Sequence, residues 1–368
     1  MLHHSTIYTR WTCELNPASS KGEKYTERRH PIRTACPNAA KLTYHRGMAH
    51  NNSTSYAMII NRFGGPDEFT QVPRTPAEPG PGEILVKTTA IGANPLDYKM
   101  RDGSSGLCAK FNPPAVLGRE AAGEVVAVGE GVDNFVPGDR VFGMRGFDDF
   151  RGTYATHNVF PADGVVRTPD SLDDVTAAGL ALVGITATVA VEQLAKVKSG
   201  DTVLIHGAGG GVGQLMTQLA VARGATVLAS ASSRHHEKLV GFGAQHIDYT
   251  AEDVFEAVRQ QFPEGVDVVL DGVYFDTFLP SLDVLASDGR IVALPSLADL
   301  TPARERGIEA HIPAISNDTT IYADLADRVV AGEISLPIGL TKNLTEVAEV
   351  HRVLEDGHAD GKIVMTVE

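Results

Sequence analysis

The sequence predicts an α/β protein whose second half forms a doubly wound parallel sheet behind a barrel-like, β-rich first half. Three observations carry this. Apolar strand-sized runs alternate with helical patterns from residue 202 to residue 294, the order that covers a parallel sheet on both faces. Short strand patterns separated by Gly/Pro turns fill residues 57–160, as in a barrel. A glycine run, residues 207–213, joins the first apolar strand of the second half to a helix.

Taken in order, residues 57–61 read as a strand, Phe63-Gly64-Gly65-Pro66 as a turn, and 83–88 as a strand after the loop Pro79-Gly80-Pro81-Gly82. Strands at 121–128, 140–142 and 153–160 follow, punctuated by Gly129, Gly131 and Pro137-Gly138-Asp139. Beyond Pro169 the period changes: Ser171-Leu172-Asp173-Asp174 supplies a cap and an acidic first turn for an Ala-rich helix through Leu182, and 186–196 reads as a second helix. Then come strand 202–205, helix 212–223, strand 226–229, helix 237–242, strands 245–248 and 267–270, helix 277–285 and strand 290–294.

At 368 residues, 43% of them hydrophobic, the chain is long enough for two to three domains and a sizeable core. Its net charge of −14 argues against general binding to nucleic acid or to anionic membranes. The charge is unevenly placed: residues 1–57 carry +5, which leaves −19 on the remainder. Residues 1–56 also hold Trp11, Cys13 and Cys36, and are expected to be a disordered extension or to precede a true start at Met48. Glu14, Glu23, Glu27 and the prolines at 17, 31 and 37 weaken a transit-peptide reading. No secretory or membrane-spanning run is read anywhere. With Cys108 the one cysteine of the body, a disulfide there is impossible and a reducing, cytoplasmic location is expected.

The string Val203-Leu204-Ile205-His206-Gly207-Ala208-Gly209-Gly210-Gly211-Val212-Gly213 is a dinucleotide fingerprint in its required strand–loop–helix context, although Ala208 stands where the strict motif has its first glycine. Glycines admit a pyrophosphate to the backbone, and the helix N-terminus supplies free N–H groups and a positive dipole end. At the next strand end, where an NAD enzyme places Asp or Glu, the chain reads Ala229-Ser230-Ala231-Ser232-Ser233-Arg234. Ser230, Ser232 and Ser233 can donate hydrogen bonds and Arg234 can pair with a 2′-phosphate, so NADPH is favoured over NADH. The adjacent His235 and His236 read as surface residues.

With these residues in place, the stretch from Ala57 to Glu368 resembles the medium-chain dehydrogenase/reductase superfamily, in its zinc-free quinone oxidoreductase, zeta-crystallin-like branch. The matching strings include Asn61-Arg62-Phe63-Gly64-Gly65-Pro66, Gly92-Ala93-Asn94-Pro95-Leu96-Asp97, Leu117-Gly118-Arg119-Glu120 and Gly138-Asp139-Arg140-Val141-Phe142-Gly143. The resemblance implies a Rossmann doubly wound parallel sheet inserted in a GroES-like β-barrel domain. The barrel domain would take 57–182 and 319–368, and the nucleotide domain 183–318. The resemblance also implies a homodimer through edge strands near 307–312.

Zinc-dependent members of that superfamily carry Cys, His and Cys where this chain has Asn94, Arg119 and Val183, so no metal is expected. Without a Lewis acid, the acceptor of a hydride must already be electrophilic: a quinone or an α,β-unsaturated carbonyl. The resemblance places Asn94 and Thr186 against the nicotinamide and Tyr249 near the adenosine phosphate. Gly272, Val273, Leu294 and Ser296 stand at later strand ends, where ligands of parallel sheets sit. Asn94 and Tyr98 are the candidate catalytic residues, with Glu120 expected to tie down Arg119. The acceptor pocket would be built from loops 101–112 and 145–151. The competing reading is an NADPH-binding crystallin-like or RNA-associated protein with little catalytic role.

Overall fold

The computed structural model describes residues 55–357 and 359–368, so all but Ser55 and Tyr56 of the expected extension lies outside the described residues. The chain first lays down β1 (Tyr56–Ile60), β2 (Phe69–Pro73), β3 (Glu83–Ala93), α1 (Pro95–Asp102), β4 (Ala115–Val116), β5 (Glu120–Val128), β6 (Arg140–Met144), β7 (His157–Pro161) and β8 (Val165–Arg167). It continues through α2 (Asp174–Thr188), β9 (Thr202–His206), α3 (Gly211–Ala222), β10 (Thr226–Ala231), α4 (His236–Gly241), β11 (Gln245–Asp248), α5 (Val254–Gln261) and β12 (Val266–Asp271). The remainder is α6 (Phe278–Ser281), β13 (Leu285–Ala293), α7 (Thr301–Glu305), β14 (Glu309–His311), α8 (Thr319–Val330), β15 (Ile338–Asn343), α9 (Val347–Asp356) and β16 (Lys362–Thr366).

Three sheets result among the described residues. One is the short ribbon β2-β1-β4; the second is the barrel sheet β15-β16-β3-β5-β6-β8, with β7 also paired to β3. The third is the parallel sheet β11-β10-β9-β12-β13-β14. Strand order reverses between β9 and β12, which opens a crevice beyond the C-terminal ends of these strands. The C-terminal β16 returns to the barrel, pairing Ile363 with Ala93 on β3.

At the centre runs α2, packed against β3, β5, β6, β16, α3 and α8. It is apolar on every face, as a helix enclosed by protein must be. With its continuation to Leu194 it is long and apolar enough to cross a membrane, yet 78% of that stretch is buried inside the protein.

The structure corrects several boundaries. The two helices expected at 175–182 and 186–196 are one, because α2 runs straight into a π-helical turn, Val189–Leu194. Gly184 does not break it: a Cβ there would lie 2.5 Å from Leu325 Cδ1, so the glycine lets α8 approach. The helix expected at 277–285 is a single turn around Pro280, and the following strand starts early, at Leu285. The strand expected from residue 153 begins at His157. The sequence reading also omitted β2 and α5, the latter capped by Asp253, whose side chain accepts from the backbone N–H groups of Phe255 and Glu256.

Candidate active site

The glycine loop lies where the sheet reverses. Gly207 leaves β9 with φ +72°, a conformation that suits glycine, and Gly210 caps α3 without any side-chain hydrogen bond to its first N–H groups. Those donors are left for a ligand. Gly213 sets the helix on the loop: a Cβ there would fall 2.2 Å from the Gly207 carbonyl oxygen. Ala208 is fully buried and its N–H donates to the Ser230 carbonyl at 3.1 Å, which ties the loop to β10.

The strand ends converge on this loop. The Gly272 N–H donates to the His206 carbonyl at 3.1 Å, and Val273 Cγ2 lies 3.3 Å from the place of a Cβ on Gly207. Leu294 follows, its N–H donating to the Asp271 carbonyl and its Cδ1 facing Gly272. Ser296 lies exposed in the turn beyond. On the other flank Ser230 is buried in β10, Ser232 and Ser233 open a short turn, Arg234 is exposed, and Tyr249 projects from the end of β11. From α2, Val183 packs on the loop at Gly211, while the half-buried Thr186 donates its hydroxyl to the Leu182 carbonyl at 2.7 Å.

His235 is not the surface residue expected. It is buried, its ring lies under Gly209 with Cδ2 2.4 Å from the place of a Cβ there, and its Nδ1 is 2.9 Å from Asp360. Burial holds its pKa below the ordinary histidine value. His236 is exposed as expected, its Nδ1 3.1 Å from that of His246.

Asn94 belongs to a buried charged group missed in the sequence. Its Nδ2 donates to Glu120 Oε1 at 2.8 Å and its Oδ1 accepts from Lys362 Nζ at 2.5 Å. Lys362 Nζ also reaches Glu120 Oε1 at 2.6 Å, and the N–H of Leu182 donates to Glu120 Oε2. Gly92 makes this possible, since a Cβ there would overlap the Glu120 carboxylate at 2.3 Å. The ion pair expected between Glu120 and Arg119 is therefore replaced by one with Lys362. Arg119 Nη1 donates instead to the carbonyls of Gly146 and Asp149, and its guanidinium lies 5.5 and 5.3 Å from the rings of Phe147 and Phe150. It clamps the loop expected to border the acceptor.

Behind Asn94 runs a second buried network. Asp97 Oδ2 accepts from the Asn94 N–H at 2.8 Å and from the Tyr154 hydroxyl at 2.9 Å. Tyr154 Oη lies 3.1 Å from His351 Nε2, and His351 Nδ1 lies 3.2 Å from Arg101 Nη1. Arg101 can only donate, so His351 accepts at Nδ1 and carries its proton on Nε2. Burial raises Asp97 to about 6 and pushes His351 down to about 3. Tyr98, half-buried on α1, has its phenol raised by burial and then by Asp102, so it keeps its O–H near neutral pH.

A glycine cradle at the reversal of a parallel sheet, flanked by a buried cation delivered from the barrel, defines the class: a doubly wound protein with a dinucleotide-type phosphate site. Comparison with known proteins places it further. The alcohol dehydrogenase GroES-like domain family matches residues 80–170, and the zinc-binding dehydrogenase family matches 242–365. The chain is 36% identical to 2-haloacrylate reductase of a Burkholderia species over 329 residues, covering 84% of this chain and 98% of that protein. The solved quinone oxidoreductase of Coxiella burnetii superimposes with a TM-score of 0.81 at 34% identity, covering 85% of this chain and 99% of the other. That of Escherichia coli, solved in complex with NADPH, gives 0.76 at 27%, covering 84% and 99%. The chain belongs to the medium-chain dehydrogenase/reductase superfamily, in its quinone oxidoreductase branch.

The second family's description implies zinc, and the residues here do not fit it. Asn94 is already engaged by an ammonium, Arg119 presents a guanidinium, and Val183 has no donor atom. Among the described residues, no group of three or more His, Cys, Asp and Glu side chains is arranged to hold a metal ion.

Proposed function

We propose that this protein is a zinc-independent, NADPH-dependent reductase that transfers a hydride to a quinone or an α,β-unsaturated carbonyl. The observation that carries the reading is the occupation of the metal-ligand positions by Asn94, Arg119 and Val183, with Lys362 supplying the local positive charge. A site so built has no Lewis acid to activate an alcohol or a simple ketone, so its acceptor must be electrophilic beforehand. The relatives' names, a reductase of 2-haloacrylate and oxidoreductases of quinones, agree with such acceptors.

When bound, the reduced nicotinamide supplies the hydride. The N–H groups of Gly209, Gly211, Val212 and Gly213, after the turn at Gly207 and Ala208, would hold the pyrophosphate at the α3 N-terminus, with Gly210 shaping the loop by donating its own N–H to the Gly207 carbonyl. Ser230, Ser232, Ser233 and Arg234 would take the ribose and its 2′-phosphate, beside Tyr249. Gly272, Val273, Leu294, Ser296 and Thr186 would border the nicotinamide. Asn94, with both ends of its amide engaged, acts by positioning Lys362 and Glu120. The Tyr98 hydroxyl is a donor for the acceptor oxygen, and water supplies the proton. This reading assigns 57–182 and 319–368 to the barrel part and 183–318 to the nucleotide part, a boundary that crosses α2.

We also propose that the protein is cytoplasmic and that two copies pair through β14, which among the described residues pairs only with β13. Sedimentation should give twice the chain mass, and a monomer would overturn the pairing. The enzymatic reading is tested by NADPH consumption across a panel of quinones and enones. Turnover with at least one class is expected; tight NADPH binding without turnover on any of them would overturn it.

A further inference from the structure

Three basic side chains gather at the end of β10, where the 2′-phosphate of the proposed cofactor would lie. Arg234 Nε donates to His235 Nε2 at 3.0 Å, and His235 in turn lies under Gly209 of the cradle. Lys238, one turn into α4, completes the group. One carboxylate faces them. Asp360 Oδ1 is 2.9 Å from His235 Nδ1 and 3.2 Å from Lys238 Nζ, and the Lys238 ammonium also donates to the Asp360 carbonyl at 3.0 Å. The neighbouring carboxylate, Asp248, accepts from the Thr250 hydroxyl at 2.7 Å and faces the Ser233 N–H, which with Thr250 holds its pKa below the usual carboxylate value.

Asp360 is held there by the backbone. Gly361 has φ +135°, and a Cβ on it would fall 2.3 Å from the Pro337 carbonyl oxygen. The N–H of Lys362 donates to that same carbonyl at 2.8 Å as β16 begins. The return of the chain to the barrel thus fixes an anion against Lys238 and the His235 ring of the nucleotide part. Its side chain is 51% exposed, so it can swing clear without disturbing the core.

We propose that Asp360 is an internal competitor for the 2′-phosphate: it neutralises Lys238 and stands against Nδ1 of the neutral His235 ring in the free protein, and must yield both for NADPH to bind. Asp360 is therefore a specificity-determining residue that weakens NADPH selectively. The inference rests on the NADPH reading above, and it adds His235 and Lys238 to the groups that meet the phosphate.

The test is titration of the full chain with 2′,5′-ADP and with 5′-AMP, which differ in the 2′-phosphate alone. Releasing one partly exposed ion pair, with Lys238, and one contact to the neutral His235 ring should tighten 2′,5′-ADP about fivefold in Asp360→Asn and leave 5′-AMP unchanged. Asp360→Glu, which keeps the charge, should bind as the native chain does, and Lys238→Ala should weaken 2′,5′-ADP alone. Unchanged or weaker 2′,5′-ADP binding in a folded Asp360→Asn protein overturns the proposal. A native chain that binds both nucleotides equally overturns the NADPH reading instead. In that case a preference for 2′,5′-ADP appearing in Asp360→Asn still supports the competitor, and equal binding in both proteins overturns it as well.

Discussion

Replacing Lys362 by methionine should destabilise the protein more than almost any other surface-neutral change, because it strands a carboxylate. Glu120 is fully buried and Lys362 has 3% of its side chain exposed, with Nζ 2.6 Å from Oε1. Lys362→Met leaves Glu120 with only the Asn94 amide and the Leu182 N–H, and Glu120→Gln leaves the ammonium without a carboxylate, facing only the neutral oxygens of Asn94, Ala93 and the new amide. Breaking a buried pair from either side costs about 3–5 kcal/mol, since an uncompensated charge stays in a low-dielectric interior. The double variant Glu120→Gln/Lys362→Met removes both charges and should recover most of that loss, ending within about 2 kcal/mol of the native chain. Urea unfolding of the four proteins, read as the shift in midpoint at constant slope, closes the cycle. Single variants within about 1 kcal/mol of native, or strictly additive losses, would refute the assignment of a buried ion pair.

Further outcomes follow from the same structure. Arg234→Ala should weaken NADPH about tenfold to a hundredfold, the worth of one charge-assisted bond, and NADH little; equal weakening in fluorescence titrations removes the basis for the NADPH preference. Prolonged incubation with a chelator should leave reductase activity unchanged, whereas loss restored by zinc would contradict the reading of Asn94, Arg119 and Val183. The buried pair Asp97 and His351 sets opposite pH slopes on stability. Asp97, raised by burial to about 6 from 3.8, holds a proton when folded that it loses when unfolded, so it lowers stability as pH rises through that window. His351, pushed down to about 3 from 6.5, takes a proton only when unfolded, so it lowers stability as pH falls through the same window. The two offset between about pH 4 and 6, and Asp97→Asn should uncover a loss of about 1.4 kcal/mol per pH unit toward acid; an unchanged pH profile in denaturant titrations would refute the pairing.

What was legible in the sequence was local. The glycine loop could be read because strand, positive-φ glycine and helix N-terminus follow one another within a dozen residues, and the strand ends 272–273 and 294 follow from the alternation of elements. The charged groups beside the loop could not be read the same way. Lys362 meets Asn94 across 268 residues of chain and Arg101 meets His351 across 250, so no spacing rule reports them. Arg119 was legible as a residue unfit for zinc, yet its partners are backbone carbonyls of residues 146 and 149, which carry no sequence signature. His235 misled because two adjacent histidines look like solvated polar residues, and only the missing side chain at Gly209 makes room for the ring. Gly184 carried no readable signal, because what it serves is the close approach of Leu325 from a helix about 140 residues away.

The central claim, reduction of an electrophilic acceptor by NADPH without a metal, is tested most directly by one assay. Chelator-treated protein is mixed with NADPH and a panel of quinones and α,β-unsaturated carbonyls, and loss of the reduced-nicotinamide absorbance is followed, with NADH in parallel. The account predicts turnover of at least one acceptor class, with NADPH favoured over NADH and no response to added zinc. Tight NADPH binding without turnover of any acceptor, or activity that appears only when zinc is restored, would contradict it.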